Sequence, residues 1–313
     1  MGSYVIRRVL ATLPVMGVVA VIVFLMLRLS PGDPAAIIAG DNATSQDIAQ
    51  IREYLGLDQP LGEQFVRWIG QLLTGDFGNS IYLNRPVLGL IMERVGPTLA
   101  LSISTMAFAI LLAIPLGVLA AWRAGSWGDQ AIMAMSVLAF SVPVFLIGYG
   151  LVIGFSLELE LLPVQGFVSL SESPIGFLRH LVLPTVALGL VYTALLARIT
   201  RATMLETLNE DFIRTARAKG LAEPRVLILH ALKNASVPIV TTIGTGIALL
   251  IGGVVVTESV FAVPGIGRLT IDAVLQRDYP VIQGVILVIA GVYVLVNLAI
   301  DLTYSLLDPR IRY

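Results

Sequence analysis

Hydrophobic positions in this chain gather into long runs, and six of these carry no charge over lengths that match a bilayer core. A helix crossing the hydrocarbon needs about 17 to 25 mostly apolar residues. The runs fall at residues 9–27, 95–122, 131–157, 181–197, 237–257 and 279–300. The pattern predicts six membrane helices. The fourth run is the shortest, and Arg198 at its end is placed to snorkel toward the headgroups. Pro14, Pro115, Pro143, Pro184 and Pro238 lie inside runs. Such prolines break helices in water, but membrane helices accept them because neighbours re-satisfy the freed backbone groups.

The stretches between the runs are more polar. In the first long interval, 28–94, Thr44 with Asp47 reads as a helix start, followed by an apolar stripe of Ile48, Ile51 and Leu55 that ends at Gly56. Leu61, Phe65, Trp68 and Leu72 form a second stripe ending at Gly75. Both are expected as short amphipathic helices lying on the outer membrane surface. Residues 158–180 and 258–278 read as loops on the same side, and 198–236 as the one substantial loop on the other.

Composition agrees with a membrane protein. Of 313 residues, 57% are hydrophobic and 13% charged, against about 25% charged in soluble domains. The net charge of −1 says nothing about nucleic acid or any other partner. With no Cys and only His180 and His230, disulfides, thiolate metal sites and multi-histidine sites are excluded. Arg7 and Arg8 precede a first run longer than a signal-peptide core, and no A-x-A site follows closely, so it reads as an uncleaved anchor. Six crossings put both termini on one side. If that side is the cytoplasm, it holds 12 of the 20 Lys and Arg residues. Of the 8 outside, five lie in the long 28–94 region, which counts little in the positive-inside rule. Cytoplasmic termini are expected.

Several chemistries are missing. No G-x-x-x-x-G-K-[ST] phosphate loop is present, and no Ser/His/Asp or paired-carboxylate arrangement stands out, so no catalytic residue is assigned and the chain is not read as an enzyme. The runs hold almost no ionisable groups, Asp301 being nearest, which argues against ion-coupled secondary transport. A polar, uncharged path remains, drawing on Ser102, Ser104, Thr105, Ser136, Ser141, Tyr149, Tyr192, Thr193, Thr241, Thr242 and Thr245. Taken singly, each is better read as a helix-packing residue, as is the G-x-x-x-G pair Gly150 and Gly154.

The 198–236 loop is the most informative stretch. Acidic residues come early and basic ones late in 209–219, as the helix dipole favours. Gly220 suits a helix stop and Pro224 the first turn of a new helix. The residues by themselves leave two readings open: a solvated loop obeying the positive-inside rule, or a protruding knob that docks on a partner.

This loop resembles the EAA loop of ABC-importer membrane subunits, matching it at Ala216, Gly220 and Leu232 and departing at Arg214, Thr215, His230 and Lys233. The departures match the variant of the oligopeptide/dipeptide/nickel subfamily, as do Ser30-Pro-Gly-Asp-Pro34, Leu55-Gly-Leu-Asp-Gln-Pro-Leu61, Gly75-Asp-Phe-Gly-Asn-Ser80, Glu258-Ser-Val-Phe261, Pro264-Gly-Ile-Gly-Arg268, Arg277-Asp-Tyr-Pro280 and Leu307-Asp-Pro-Arg-Ile-Arg312. The order and spacing resemble the first-type permease of that subfamily along nearly the whole chain.

The resemblance implies an all-α integral membrane fold with six transmembrane helices. It comprises a type I importer (MetI-like) permease core at 95–307, an extra N-terminal span at 1–27, a large external insertion at 28–94 and a cytoplasmic tail at 308–313. It implies a pore-forming subunit of a peptide or small-solute importer in the bacterial inner membrane, which binds no cofactor itself because partner ATPases hold ATP and Mg. The implied partners are a second, non-identical permease, two P-loop ATPases and an extracytoplasmic solute-binding protein. The coupling helix would be Asp211 to Leu221. Phe212 and Ala216 would share one face toward an ATPase cleft, Arg217 and Lys219 would pair with its acidic residues, and Gly220 would make the turn. Glu258, Pro264, Gly265, Gly267 and Arg268 would belong to a loop facing the binding protein, a plain structural turn being the alternative. A secondary transporter and a membrane scaffold are the rival classes, and an intramembrane enzyme is the weakest. The solute is not legible.

Overall fold

A computed structural model describes residues 2–29, 35–36, 44–54 and 56–307. Ser30 to Pro34, Leu55 and the 308–313 tail, all used in the motif reading, lie outside the described residues, as do the side chains of Asp47 and Ile51. The described chain is helical, with one isolated antiparallel bridge, Asn79 to Pro86. The helices are α1 (Gly2–Leu29), α2 (Ser45–Tyr54), α3 (Leu61–Leu73), α4 (Val87–Trp122), α5 (Trp127–Ser141), α6 (Val144–Leu151), α7 (Pro174–Leu208), α8 (Asp211–Ala218), α9 (Glu223–Arg225), α10 (Lys233–Val260), α11 (Ile266–Leu275) and α12 (Tyr279–Leu307). The π-helical segments Val152–Glu158 and Val226–Leu232 extend α6 and α9.

Among the described residues, five segments are long and apolar enough to cross a membrane: Arg7–Met26, Val87–Trp122, Pro174–Leu208, Glu223–Leu250 and Tyr279–Ile300. The third expected span differs. In place of one helix over 131–157 the chain forms α5 and α6, bent by 100°, and the pair supplies the sixth crossing only when counted as one. Pro143 explains the break. It disfavours helical geometry at the residue before it, and Val142 is extended at φ −86, ψ 126. Pro143 then opens the next helix, where its missing N–H costs nothing.

The chain divides into two compact units, residues 1–94 with 269–295, and 95–268 with 296–313. In the first unit most of the α3 stripe, expected on the outer membrane surface, packs against the chain's own helices. Phe65 and Trp68 pack on Phe24 of α1, with ring centroids 5.1 and 5.6 Å away. Trp68 and Leu72 also join a cluster around Ala20, Val23 and Leu287. The insertion thus has its own apolar contacts within the protein. Asp278, 2% exposed, ties two loop motifs together by accepting hydrogen bonds from the Ser80 hydroxyl and the Ile81 and Tyr82 amides.

In the second unit α7 is the buried axis. Thirteen of its residues are buried, from Leu181 to Met204, and α5, α6 and α10 pack against it. Its last buried turns enter a cluster with Ala113 and Ala121 of α4, Ile213 and Ala216 of α8, and Ile239 of α10. The core therefore reaches the helices of the 198–236 loop instead of stopping at the spans.

Candidate coupling knob and buried-carboxylate turn

The 198–236 region folds as helix, turn and helix. Helix α8 begins after Glu210, and its residues alternate between core and solvent with helical period. Ile213 is 0% and Ala216 7% exposed, whereas Phe212 is 42% exposed. The expectation that Phe212 and Ala216 share an outward face is corrected here. Ala216 pairs with Ile213 at i, i+3 and faces the chain's own core, and Leu221 packs against the same cluster. Asp211, Phe212, Arg214, Thr215, Arg217, Ala218 and Lys219 are exposed. Ile213 was the missed residue; its spacing to Ala216 shows that the two share a face but not that this face is the buried one.

Lys219 ends the helix and Gly220 turns it at φ +76, a left-handed conformation that is inexpensive only for glycine. Pro224 sits in the first turn of α9, as the sequence suggested. Arg217, expected to reach a partner's acid, instead donates to Glu223, with Nη2 to Oε1 at 2.7 Å. That hydrogen bond pushes its pKa further above the ordinary arginine value. With both side chains partly exposed, the pair clasps the two sides of the turn.

A second ion pair holds the base of the knob. Arg201, on the last turns of α7, grips Asp129 with Nε and with Nη2, the latter at 2.7 Å. The Asp129 side chain is 4% exposed and also accepts from the Gly125 amide at 2.9 Å. Ser126 caps α5 by accepting from the Asp129 amide. The Ser-x-x-Asp spacing at 126–129 signals the cap but not the distant arginine.

The 258–268 segment also departs from expectation. Glu258 is 0% exposed, so it does not reach out to a protein above. Its Oε1 accepts from the Thr98 hydroxyl at 2.6 Å, and Oε2 accepts from the Arg268 amide at 3.0 Å. The Thr98 hydroxyl in turn accepts from the Ile266 amide at 2.8 Å. A Cβ on Gly265 would lie 2.0 Å from Oε1, and one on Gly267 would lie 2.5 Å from Val255 Cα. Gly265 is therefore required by close approach to a buried carboxyl and Gly267 by close approach to the Val255 backbone, while Pro264 and Arg268 are half-buried. The exposed part comes later: Asp272, Val274, Leu275, Gln276 and Arg277, with Leu275 77% exposed.

The candidate path residues mostly satisfy themselves. Ser104 and Thr185 hydroxyls pair at 2.7 Å. Thr241, Thr242 and Thr245 each donate to the carbonyl four residues back. Thr105, Thr193 and Thr200 bury hydroxyls with no hydrogen-bond partner among the described residues. Gly150 and Gly154 have nothing within 4 Å of an added Cβ, so they do not pack closely within the chain. Among the described residues no group of three or more metal-ligating side chains comes together.

Comparison with known proteins gives one consistent answer. The family described as binding-protein-dependent transport system inner membrane component matches residues 113–313, and the corresponding N-terminal family matches 1–102. A probable peptide ABC transporter permease protein, y4tP, of Sinorhizobium fredii is 52% identical over 313 residues, all of both chains. The glutathione transport system permease protein GsiC of Escherichia coli is 43% identical over 314 residues, again covering both chains fully. Among solved structures, the inward-facing MetNI methionine ABC transporter matches with a TM-score of 0.58 at 18% identity, covering 71% of this chain and 97% of that one.

Proposed function

Because the chain belongs to the family of binding-protein-dependent transport system inner membrane components, we propose that it is the pore-forming subunit of an ATP-driven importer for peptides or similar small solutes, with the α8 knob as its coupling site. The knob's two-faced geometry carries the coupling reading. Ile213 and Ala216 anchor one face in the chain's own core, and Phe212 stands exposed on the other. A push on a helix rooted this way passes into α7 and the spans instead of bending a loop. Docking an exposed aromatic in a partner's cleft follows the helix-in-groove mode.

The relatives named as peptide and glutathione permeases support the solute class. On this reading ATP and Mg stay on two partner ATPases, and this chain binds neither. A second, non-identical permease completes the pore, both termini are cytoplasmic, and an extracytoplasmic binding protein delivers the solute. Since Glu258 and the two glycines are interior, the surface offered to that protein is better placed at 272–277, where Val274 and Leu275 are exposed beside Asp272 and Arg277.

The test is affinity purification of the chain from its native membrane in mild detergent, with mass spectrometry of the eluate. The expected result is a second permease and P-loop ATPases, with the ATPases lost in Phe212→Ala. A chain that emerges alone or as a homo-oligomer, under conditions that preserve known complexes, overturns the proposal.

A further inference from the structure

A cavity of about 160 Å³ lies within the first unit, at the C-terminal end of α1. Arg28 and Arg67 line it, with Gln64, Trp68, Phe77 and one carboxylate, Asp76. Arg28 is held from one side. Its Nε donates to Gln64 Oε1 at 2.9 Å and its Nη1 to the Phe24 carbonyl at 3.0 Å. Its guanidinium carbon lies 3.5 Å from the centre of the Phe24 ring. Gln64, 7% exposed, is itself fixed by donating to the Leu57 and Gln59 carbonyls. A buried amide thus aims Arg28, and its Nη2 has no hydrogen-bond acceptor among the described residues.

Arg67 likewise has no hydrogen bond or ion pair among the described residues. Its Nη1 fills the space that a Cβ on Gly56 would take, 2.6 Å away, and Gly56 has φ +66. The 56–59 turn is shaped around this guanidinium. Asp76 is engaged elsewhere, since its Oδ1 accepts from the Gly78 amide. Burial pulls the Arg28 pKa down to about 10, which leaves it charged at neutral pH. Among the described residues no acidic side chain pairs with Arg28 or Arg67; a partly desolvated cation in that position is costly, and two guanidinium forks suit the planar, two-oxygen geometry of a carboxylate or phosphate.

We infer that this cavity binds an oxyanion group, a carboxylate or a phosphodiester, held by Arg28 and Arg67. Its volume far exceeds the roughly 10–15 Å³ that one water needs, so it has room for a headgroup or a peptide terminus, and Trp68 and Phe77 give the apolar part of that ligand a wall. The source is either the free carboxylate of a small solute or the headgroup of an anionic lipid. The inference concerns binding to this chain and stands apart from the transport reading.

The full-length chain in phosphatidylcholine nanodiscs tests it, with Trp122→Phe and Trp127→Phe leaving Trp68 as the sole fluorescent reporter. The probes are trialanine, its C-terminal amide, and discs doped with phosphatidylglycerol, in which retained lipid is read by native mass spectrometry. A saturable Trp68 change with trialanine but not the amide, weakened at least about tenfold by Arg67→Ala, establishes a solute carboxylate. Retained phosphatidylglycerol that Arg67→Ala releases establishes the lipid headgroup. Arg67 is exposed, so the variant is expected to fold, and an unchanged ligand-free Trp68 spectrum checks this. No binding of either probe, or binding indifferent to Arg67→Ala, overturns the inference.

Discussion

Replacing Gly265 with Ala tests the buried-carboxylate turn directly. Gly265 is not among the residues with positive φ, so alanine is acceptable to the backbone, and the cost is purely steric. The three nearest atoms to the new Cβ all belong to Glu258: Oε1 at 2.0 Å, Cδ at 2.1 Å and Oε2 at 2.3 Å. The carboxyl of a residue that is 0% exposed must leave, abandoning the Thr98 hydroxyl and the Arg268 amide. Two hydrogen bonds to a carboxylate are worth about 1.5–3 kcal/mol each, so Gly265→Ala should cost roughly 3–6 kcal/mol. Glu258→Ala alone should cost about 2–4 kcal/mol, because it leaves those two donors buried without an acceptor. Adding Gly265→Ala to Glu258→Ala should then change stability by less than about 0.5 kcal/mol, since the clash has gone. The assay is reversible unfolding in mixed micelles with increasing dodecyl sulfate, run as a double-mutant cycle. If Gly265→Ala costs the same in both backgrounds, or nothing in either, the steric account of the motif is wrong.

Three further substitutions separate roles elsewhere. Phe212→Ala should leave the purified chain as stable as the native protein yet abolish ATPase co-purification, whereas Ile213→Ala should lower stability by about 2–5 kcal/mol in the same unfolding assay. Asp129→Asn should cost about 3–5 kcal/mol by stranding Arg201. The double variant with Arg201→Gln should unfold less readily than the single, and equal losses would refute a buried pair. Asp278→Asn should loosen the 80–83 turn, detected as faster chymotrypsin cleavage at the exposed Tyr82, and unchanged cleavage would deny that Asp278 pins the segment.

Much of this protein was legible without coordinates. Uncharged apolar runs mark segments that only a lipid environment accommodates, because backbone groups in hydrocarbon must bond within their own helix. Gly220 and Pro224 announced the turn and the next helix through their own backbone restrictions, which are properties of single residues. The family was likewise readable from the order of short motifs along the chain. What stayed hidden depends on residues far apart in sequence. Hydropathy reports that 131–157 is apolar but not that its helix turns by 100° at Pro143. The pattern of α8 does not say which of its two faces meets core, and the neighbours in the cluster with Ala113, Ile213 and Ile239 decide that Ala216 turns inward. Glu258 looks like a surface carboxylate in any local window. Thr98, 160 residues away, and two glycines without Cβ atoms make it an interior one. Local chemistry determines which elements form, since propensity and solvent preference act over a few residues. Only packing selects the faces, partners and buried charges, because those free energies belong to contacts between elements.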